Sequence, residues 1–348
     1  MASDDRAIVV GIDTYPDIAP LQGPEADADD FYDWLTSPKF GDVPPTRVEK
    51  IVSTNFAADP RKPTEEISRA FDKLLAEGVR NNIPRKIGRR LYVYVAGHGV
   101  GLPMHHDPEH NDAALLLADA SNFNPTHVMT RVRALYFLYA GLFEEIAVFM
   151  DCCRQPLSIN PVFPSYITAI NLDALEGEPR KFFAFATKWG LTTRERSFDG
   201  ETRGVFTRAL TAGLRGSAAN PDGTITSSSL RDYLMLNMKD QLSEDDRRNP
   251  DIPKRPHIPT PDVELVFATV DPPRVKVTVT FPAAAANQNI RVFGDGFRDV
   301  ATGNTGAGPT WEIPVPLERG GYFVQVAALN LDAKFRLVGD EGTLNVNL

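Results

Sequence analysis

Two short apolar runs constrain this chain more than any other feature: Leu91-Tyr-Val-Tyr-Val95 and Ile146-Ala-Val-Phe-Met150. Neither alternates apolar with polar residues, as a strand wet on one face would. Uninterrupted runs of this length, bounded by Gly or charged residues, predict strands buried on both faces of a parallel sheet. Each run ends on reactive side chains. Tyr94-Val-Ala-Gly-His98-Gly99 closes the first, and Asp151-Cys152-Cys153-Arg154 closes the second. In open α/β sheets, ligands bind at the carboxyl edge of the strands. A histidine and a cysteine delivered to one edge can form a thiolate–imidazolium pair, the minimum for a cysteine nucleophile.

The flanking sequence supports an α/β fold. Ala7–Ile12 reads as a strand, followed by a helix from about Glu25 to Leu35 with Ala28, Phe31, Trp34 and Leu35 at helical spacing. Lys50–Thr54 reads as another strand. Ile67, Ala70, Phe71, Leu74 and Leu75 form the apolar stripe of a second helix, with Thr64 as its expected cap and Glu65 and Glu66 in its first turn. Alternating strands and helices imply right-handed crossovers and a mostly parallel sheet. Phe182–Thr187 and Val263–Ala268 are further expected strands. Residues 190–203 and the proline- and charge-rich stretch 243–262 read as polar loops. After Asp271-Pro-Pro273 the texture changes to short alternating strands separated by Gly, Asn and Asp turns, which predicts a β-sandwich. Trp311 and Phe293 are expected in its core. The expected organisation is thus an α/β unit over 1–270 and a β-sandwich over 271–348.

Composition narrows the function classes. A net charge of −9 over 348 residues argues against a dedicated nucleic-acid surface, and no apolar run approaches the ~18 residues of a membrane span. The first residues, Met1-Ala-Ser-Asp-Asp5, lack the basic and apolar regions of a signal peptide. The two cysteines are adjacent, so a disulfide framework is absent and a reducing cytoplasm is the expected location. The run Met104-His-His-Asp-Pro-Glu-His110 could ligate a metal, but its spacing fits no helical or zinc-finger pattern. Asp107, Glu109 and Asp112 could bind Ca²⁺, yet no EF-hand spacing supports it, so no cofactor is required. Neither a Gly-x-Gly-x-x-Gly nor a Walker loop follows any expected strand.

Taken singly, a free cysteine is also at home as a buried structural thiol, and a histidine as a core or turn residue. Along a strand, neighbours face opposite sides, so only one of Cys152 and Cys153 can face His98.

The same motifs, in the same order, resemble the caspase/metacaspase family of cysteine proteases over roughly residues 6–268. Asp151-Cys152-Cys153 is similar to the metacaspase Asp-(Cys/Ser)-Cys, although Arg154-Gln155-Pro156 stands where His-Ser-Gly is usual. A histidine about 50 residues before the nucleophile is a caspase signature, and His98 precedes Cys153 by 55. Leu21-Gln-Gly23-Pro-Glu-Ala-Asp27-Ala28, Gly204-Val-Phe-Thr-Arg-Ala-Leu210 and Glu264-Leu-Val-Phe267 resemble, in turn, the segment after the first strand, a later helix start and the last strand.

The resemblance implies a caspase-like, mostly parallel sheet flanked by helices. It implies a bacterial-type cysteine endopeptidase with Cys153 as nucleophile, His98 as proton carrier, and the backbone N–H groups of Cys153 and Gly99 as the oxyanion hole. It aligns Asp27 and Asp151 with the acidic S1 pair of metacaspases, which implies cleavage after Arg, or less readily Lys. Ala96 replaces a frequent pocket serine. The implied partners are protein or peptide substrates and an activating protease or regulatory protein. Arg194, Arg196 and Arg203 are candidate processing sites, with Arg247, Arg248, Lys254 and Arg255 as weaker ones. The missing His-Ser-Gly leaves a catalytically inactive caspase-like scaffold or partner-binding protein as the rival reading.

Overall fold

The structure is a computed structural model that describes residues 4–59, 61–102, 112–156, 180–198, 200–220, 222–270, 276–294, 297–314, 317, 320–337 and 343–348. The core strands are β1 (Arg6–Gly11), β2 (Val48–Val52) and β3 (Gly88–Ala96). Three short strands follow: β4 (Gly99–Leu102), β5 (Asp112–Leu116) and β6 (His127–Val128). The core continues with β7 (Phe143–Asp151) and β8 (Arg180–Phe185). Strands β8, β7, β3, β1 and β2 form one sheet in that order, and every pairing is parallel.

The register explains why the two apolar runs do not alternate. Ile8, Val93, Val148 and Phe183 form one row across the sheet, and Val9, Tyr94, Phe149 and Ala184 form the next. The first row faces a core shared with Ile67, Phe71 and Leu74 of α2 (Lys62–Gly78) and with Phe137 of α3 (Thr130–Tyr139). The second faces Phe31 and Trp34 of the first helix, α1 (Pro24–Thr36), together with α4 (Val205–Ala212) and α5 (Ser227–Asn237). Both faces of every central strand are therefore dry. Phe31 stacks on Tyr94 at 4.5 Å and tilts onto Phe149 at 5.3 Å. Such aromatic pairs add roughly 0.5–1.5 kcal/mol each beyond their area.

Several expectations need correction. Thr64 does not cap α2: the helix starts at Lys62 with Pro63 in its first turn, and the Thr64 hydroxyl instead donates to Asp119 Oδ1 at 2.9 Å. Residues 190–203 are not simply a loop. Glu195–Phe198 (β9) and Glu201–Gly204 (β10) pair antiparallel as a hairpin in which Phe198 faces Glu201. Asp-Gly between two strands is a strong hairpin signal in sequence, and Gly200 has φ +90°. The strand Val266–Thr269 does not join the parallel sheet among the described residues; it pairs with Thr224–Thr226. Its Phe267 still closes the core, 5.3 Å from Phe182. The stretch 243–262 contains a short helix, Glu244–Arg248, and Lys254 donates to the carbonyls of Asp246 and Ile252 behind it.

The C-terminal strands form two small sheets. Thr310–Glu312, Lys276–Thr280 and Thr343–Asn347 make one; Asp299–Asn304, Asn289–Phe293, Gly320–Val326 and Leu331–Leu337 make the other. They enclose their own core of Val277, Val279, Ile290, Val292, Val324 and Val326. Trp311 packs against this core, half-buried. Phe293 does not: it follows the core-facing Val292, so alternation along the strand puts it on the other face, where it meets Phe297 and Phe323.

Candidate active site

Gly11, Ala96 and Asp151 are in register across the sheet, so β1, β3 and β7 end on one line. Beyond it the Gly-His-Gly-Val-Gly stretch is laid directly on residues 151–155. The Gly97 N–H donates to Asp151 O at 3.3 Å and the Gly101 N–H to Gln155 O at 2.8 Å. Gly99 permits a close approach, because a Cβ there would lie 2.6 Å from both Cys152 Cβ and Cys153 O. Real Cβ atoms do not approach that closely, so a side chain at 99 would force the two segments apart. Gly97 also has φ +152°, outside the usual range of larger residues. These glycines bring His98 and Cys153 to one small cavity of about 100 Å³, lined also by Asp27, Ala96, Asp151, Thr193, Arg194, Glu195 and Gly204.

The two cysteines separate as strand geometry requires. Cys152 is buried in the same core as Val95 and Met150, whereas Cys153 is half-buried and lines the cavity. Burial pushes the Cys153 thiol up; the Thr193 backbone N–H opposes this, and the charges of Asp151 and Glu195 add to it. The sulfur therefore needs a nearby base.

His98 is held at both ends. Its backbone N–H donates to the Tyr15 hydroxyl at 3.0 Å, its ring lies 4.8 Å from the Tyr15 ring, and Tyr15 in turn donates to Leu116 O at 3.3 Å. His98 Nε2 is 2.7 Å from Ala19 O. A carbonyl oxygen can only accept, so this contact assigns the proton of the neutral ring to Nε2 and leaves the Nδ1 lone pair as the basic site.

Asp27 and Asp151 meet across Gly204. A Cβ on Gly204 would lie 2.3 Å from Asp151 Oδ2 and 2.6 Å from Asp27 Oδ2. Asp27 accepts from Arg203 Nε and from the Gly204 N–H, each at 2.7 Å. Asp151 accepts from the Thr193 hydroxyl at 2.9 Å, and from the Thr207 hydroxyl and N–H at 2.7 and 3.2 Å. Burial raises both carboxyls above the usual range; for Asp27 the neighbouring Asp151 adds to the rise, while Arg203 and Gly204 counter it.

A third cavity acid, Glu195, is absent from the expectations above. It sits opposite Gly204 in the hairpin and accepts from the Gly23 N–H at 3.0 Å. The Asp199-Gly200 turn signal, joined to strand alternation, is the only local clue that Glu195 and Gly204 pair. Asp13, at the end of the β1 segment, is a fourth acid nearby, with burial as the main cause pushing it up to about 7.

The candidate processing arginines differ sharply. Arg203 is 6% exposed and ion-paired to Asp27 and Asp30, so it is not a loop-tip residue open to a protease. Arg196 is half-buried in β9, with Nη1 donating to Gln241 O at 3.0 Å. Only Arg194 keeps a largely exposed side chain, 3.9 Å from Asp246. Of the weaker set, Arg247 and Lys254 are tied to backbone carbonyls. The histidine-rich run 104–110, with Asp107 and Glu109, and the Asp112 side chain lie outside the described residues. Among the described residues no group of three or more His, Cys, Asp or Glu side chains could hold a metal, and no helix is long and apolar enough to cross a membrane.

Known proteins resemble this chain over the same region. A family profile described as the caspase domain matches residues 4–260. A probable protease of a Desulfuromonadales bacterium is 28% identical over 222 residues, which is 61% of this chain and 26% of that protein's length. Among solved structures, caspase-1 from Spodoptera frugiperda covers 77% of this chain and 89% of its own at 16% identity and a TM-score of 0.44. Protein GSU0716 from Geobacter sulfurreducens covers 77% and 94% at 14% identity and a TM-score of 0.41.

Proposed function

The chain belongs to the caspase-domain family of peptidases, and on that premise we propose that it is a cysteine endopeptidase that cleaves proteins after Arg, and less readily Lys. One observation carries the reading: a half-buried cysteine, a histidine whose basic nitrogen is Nδ1, and three acidic side chains line a single cavity. Residues 1–270 form the protease unit of this proposal and 271–348 an accessory module.

In the proposed reaction, Cys153 attacks the scissile carbonyl carbon as its thiol proton passes to His98 Nδ1. The oxyanion is held by the backbone N–H groups of Cys153 and Gly99, the kind of fixed donor worth about 3–4 kcal/mol of barrier. The imidazolium returns its proton to the leaving amine, and the C–N bond breaks. Water, deprotonated by the same ring, then hydrolyses the thioester. The Ala19 carbonyl and Tyr15 keep the imidazole oriented through both steps.

Specificity follows from charge. Asp27 and Arg203 offset each other, so Asp151 and Glu195 supply the net negative field that a guanidinium or ammonium would enter. A substrate Asp would face Asp151 and Glu195, with Arg194 as the opposing lining cation. A reducing compartment such as the cytoplasm suits a free nucleophilic thiol, and proteolytic processing or a partner is the proposed control. The test is a panel of Arg-, Lys- and Asp-terminated fluorogenic peptides with wild type and Cys153→Ala. Arg-selective hydrolysis that disappears in the variant is expected; no hydrolysis, with an unreactive Cys153, would leave an inactive scaffold.

A further inference from the structure

The hairpin β9–β10 makes one wall of the cavity, and its attachment to α1 is electrostatic. Arg203 places Nε on Asp27 Oδ1 at 2.7 Å and Nη2 on Asp30 Oδ2 at 2.8 Å. Asp27 and Asp30 are three residues apart, hence on one helix face, and a single guanidinium fork spans them. The next residue, Gly204, takes the other Asp27 oxygen. On the opposite hairpin strand, Glu195 accepts from the backbone just before α1. Asp30 is further engaged by Arg215 and the Thr211 hydroxyl. Burial works against the Asp30 charge, but these partners and Arg203 outweigh it and lower its pKa.

We propose that Arg203 is a positioning residue for the specificity pocket: its fork latches the hairpin wall to α1 and fixes the Asp27 carboxylate at the back of the cavity. The proposal rests on reading this cavity as the P1 pocket. It replaces a role in processing with a role in assembly. Arg203 itself does not line the cavity, so it acts through Asp27, Gly204 and the Glu195 strand. The groups facing Asp27 are Asp151 from β7, Tyr94 from β3, and Arg203 from the hairpin, with Asp30 on its own helix. Without Arg203, burial and Asp151 both favour the neutral form of Asp27, and only the Gly204 N–H opposes them.

The test compares Arg203→Gln with wild type on an Arg-terminated peptide from pH 6 to 8.5, together with hydrogen exchange of the free proteins. The Gln variant should raise KM at least tenfold at pH 6 with a smaller change in kcat. The KM ratio of variant to wild type should shrink as pH rises and Asp27 ionises. Because Cys153 and His98 titrate in both proteins, that ratio is the quantity read. Amides 195–204 should exchange faster while those of β1, β3 and β7 do not. Arg203→Lys should restore the pH profile better than the hairpin protection, since it keeps the charge and loses the fork. If Arg203→Gln does not fold, Asp30→Asn should by itself speed exchange in 195–204. Wild-type KM at every pH, with unchanged exchange in the hairpin, overturns the proposal. If wild type shows no preference for Arg, the pocket reading fails instead, and the exchange data still decide whether Arg203 is the latch.

Discussion

Replacing Asp151 by Asn separates what the pocket acid does for substrate from what it does to the fold. Asp151 is 5% exposed and receives three donors on its two oxygens. In the variant, the amide oxygen can keep both Thr207 donors, while the new NH₂ faces the Thr193 hydroxyl, which can turn to accept. Shape and hydrogen bonding survive, and only the charge is lost. Removing the partner of a buried substrate cation costs about 2–5 kcal/mol. At 1.36 kcal/mol per decade, kcat/KM on an Arg peptide should fall about 30-fold to a few thousandfold. Stability should move the other way. Burial holds the Asp151 carboxyl above its unfolded value of about 3.8. The stability contribution of such a group is full below the unfolded value and is lost as pH rises through the folded one. Above the unfolded value the buried carboxyl group therefore weakens the fold relative to a neutral isostere. Asp151→Asn should be at least as stable as wild type there in urea titrations, and its advantage should vanish below about pH 4. Unchanged Arg cleavage, or a variant markedly less stable at pH 8, would show that Asp151 does not act through its charge.

The remaining expectations concern the thiols and the hairpin. Cys153→Ala and His98→Ala should each abolish peptide hydrolysis with the fold intact by circular dichroism, whereas Cys152→Ala should stay active and lose about 1 kcal/mol of stability from its buried site; activity lost only in Cys152→Ala would reverse the assignment. Because Asp151 is among the charges that raise the Cys153 thiol, Asp151→Asn should be alkylated by iodoacetamide faster than wild type at pH 7, even as it cleaves Arg peptides more slowly; an alkylation rate equal to wild type would contradict that coupling. Mass spectrometry of protein active on an Arg peptide should find no cut at Arg196 or Arg203, whose side chains are engaged, and an activating cut after Arg194; full activity from an uncut chain with Arg194 replaced would remove processing as the control.

The sheet and its chemical edge are legible in one dimension. Unbroken apolar runs such as 91–95 and 146–150 report two-sided burial, and the row Ile8, Val93, Val148, Phe183 is that prediction realised. Strand alternation separated Cys152 from Cys153, and the helix over 25–35 was legible from the 3.6-residue spacing of Phe31, Trp34 and Leu35. These signals are periodic and local, so they survive in one dimension. What surrounds His98 and Cys153 comes from contacts between distant segments. The Ala19 carbonyl that selects the His98 tautomer lies 79 residues away along the chain, and Arg203 reaches Asp27 from 176 residues away. Neither contact follows from periodicity, because each depends on how far one element slides over another as both cores close. Arg203 illustrates the difference. Within its polar stretch it reads as an exposed basic residue, and only the docking of the hairpin on α1 supplies the two carboxylates that bury it.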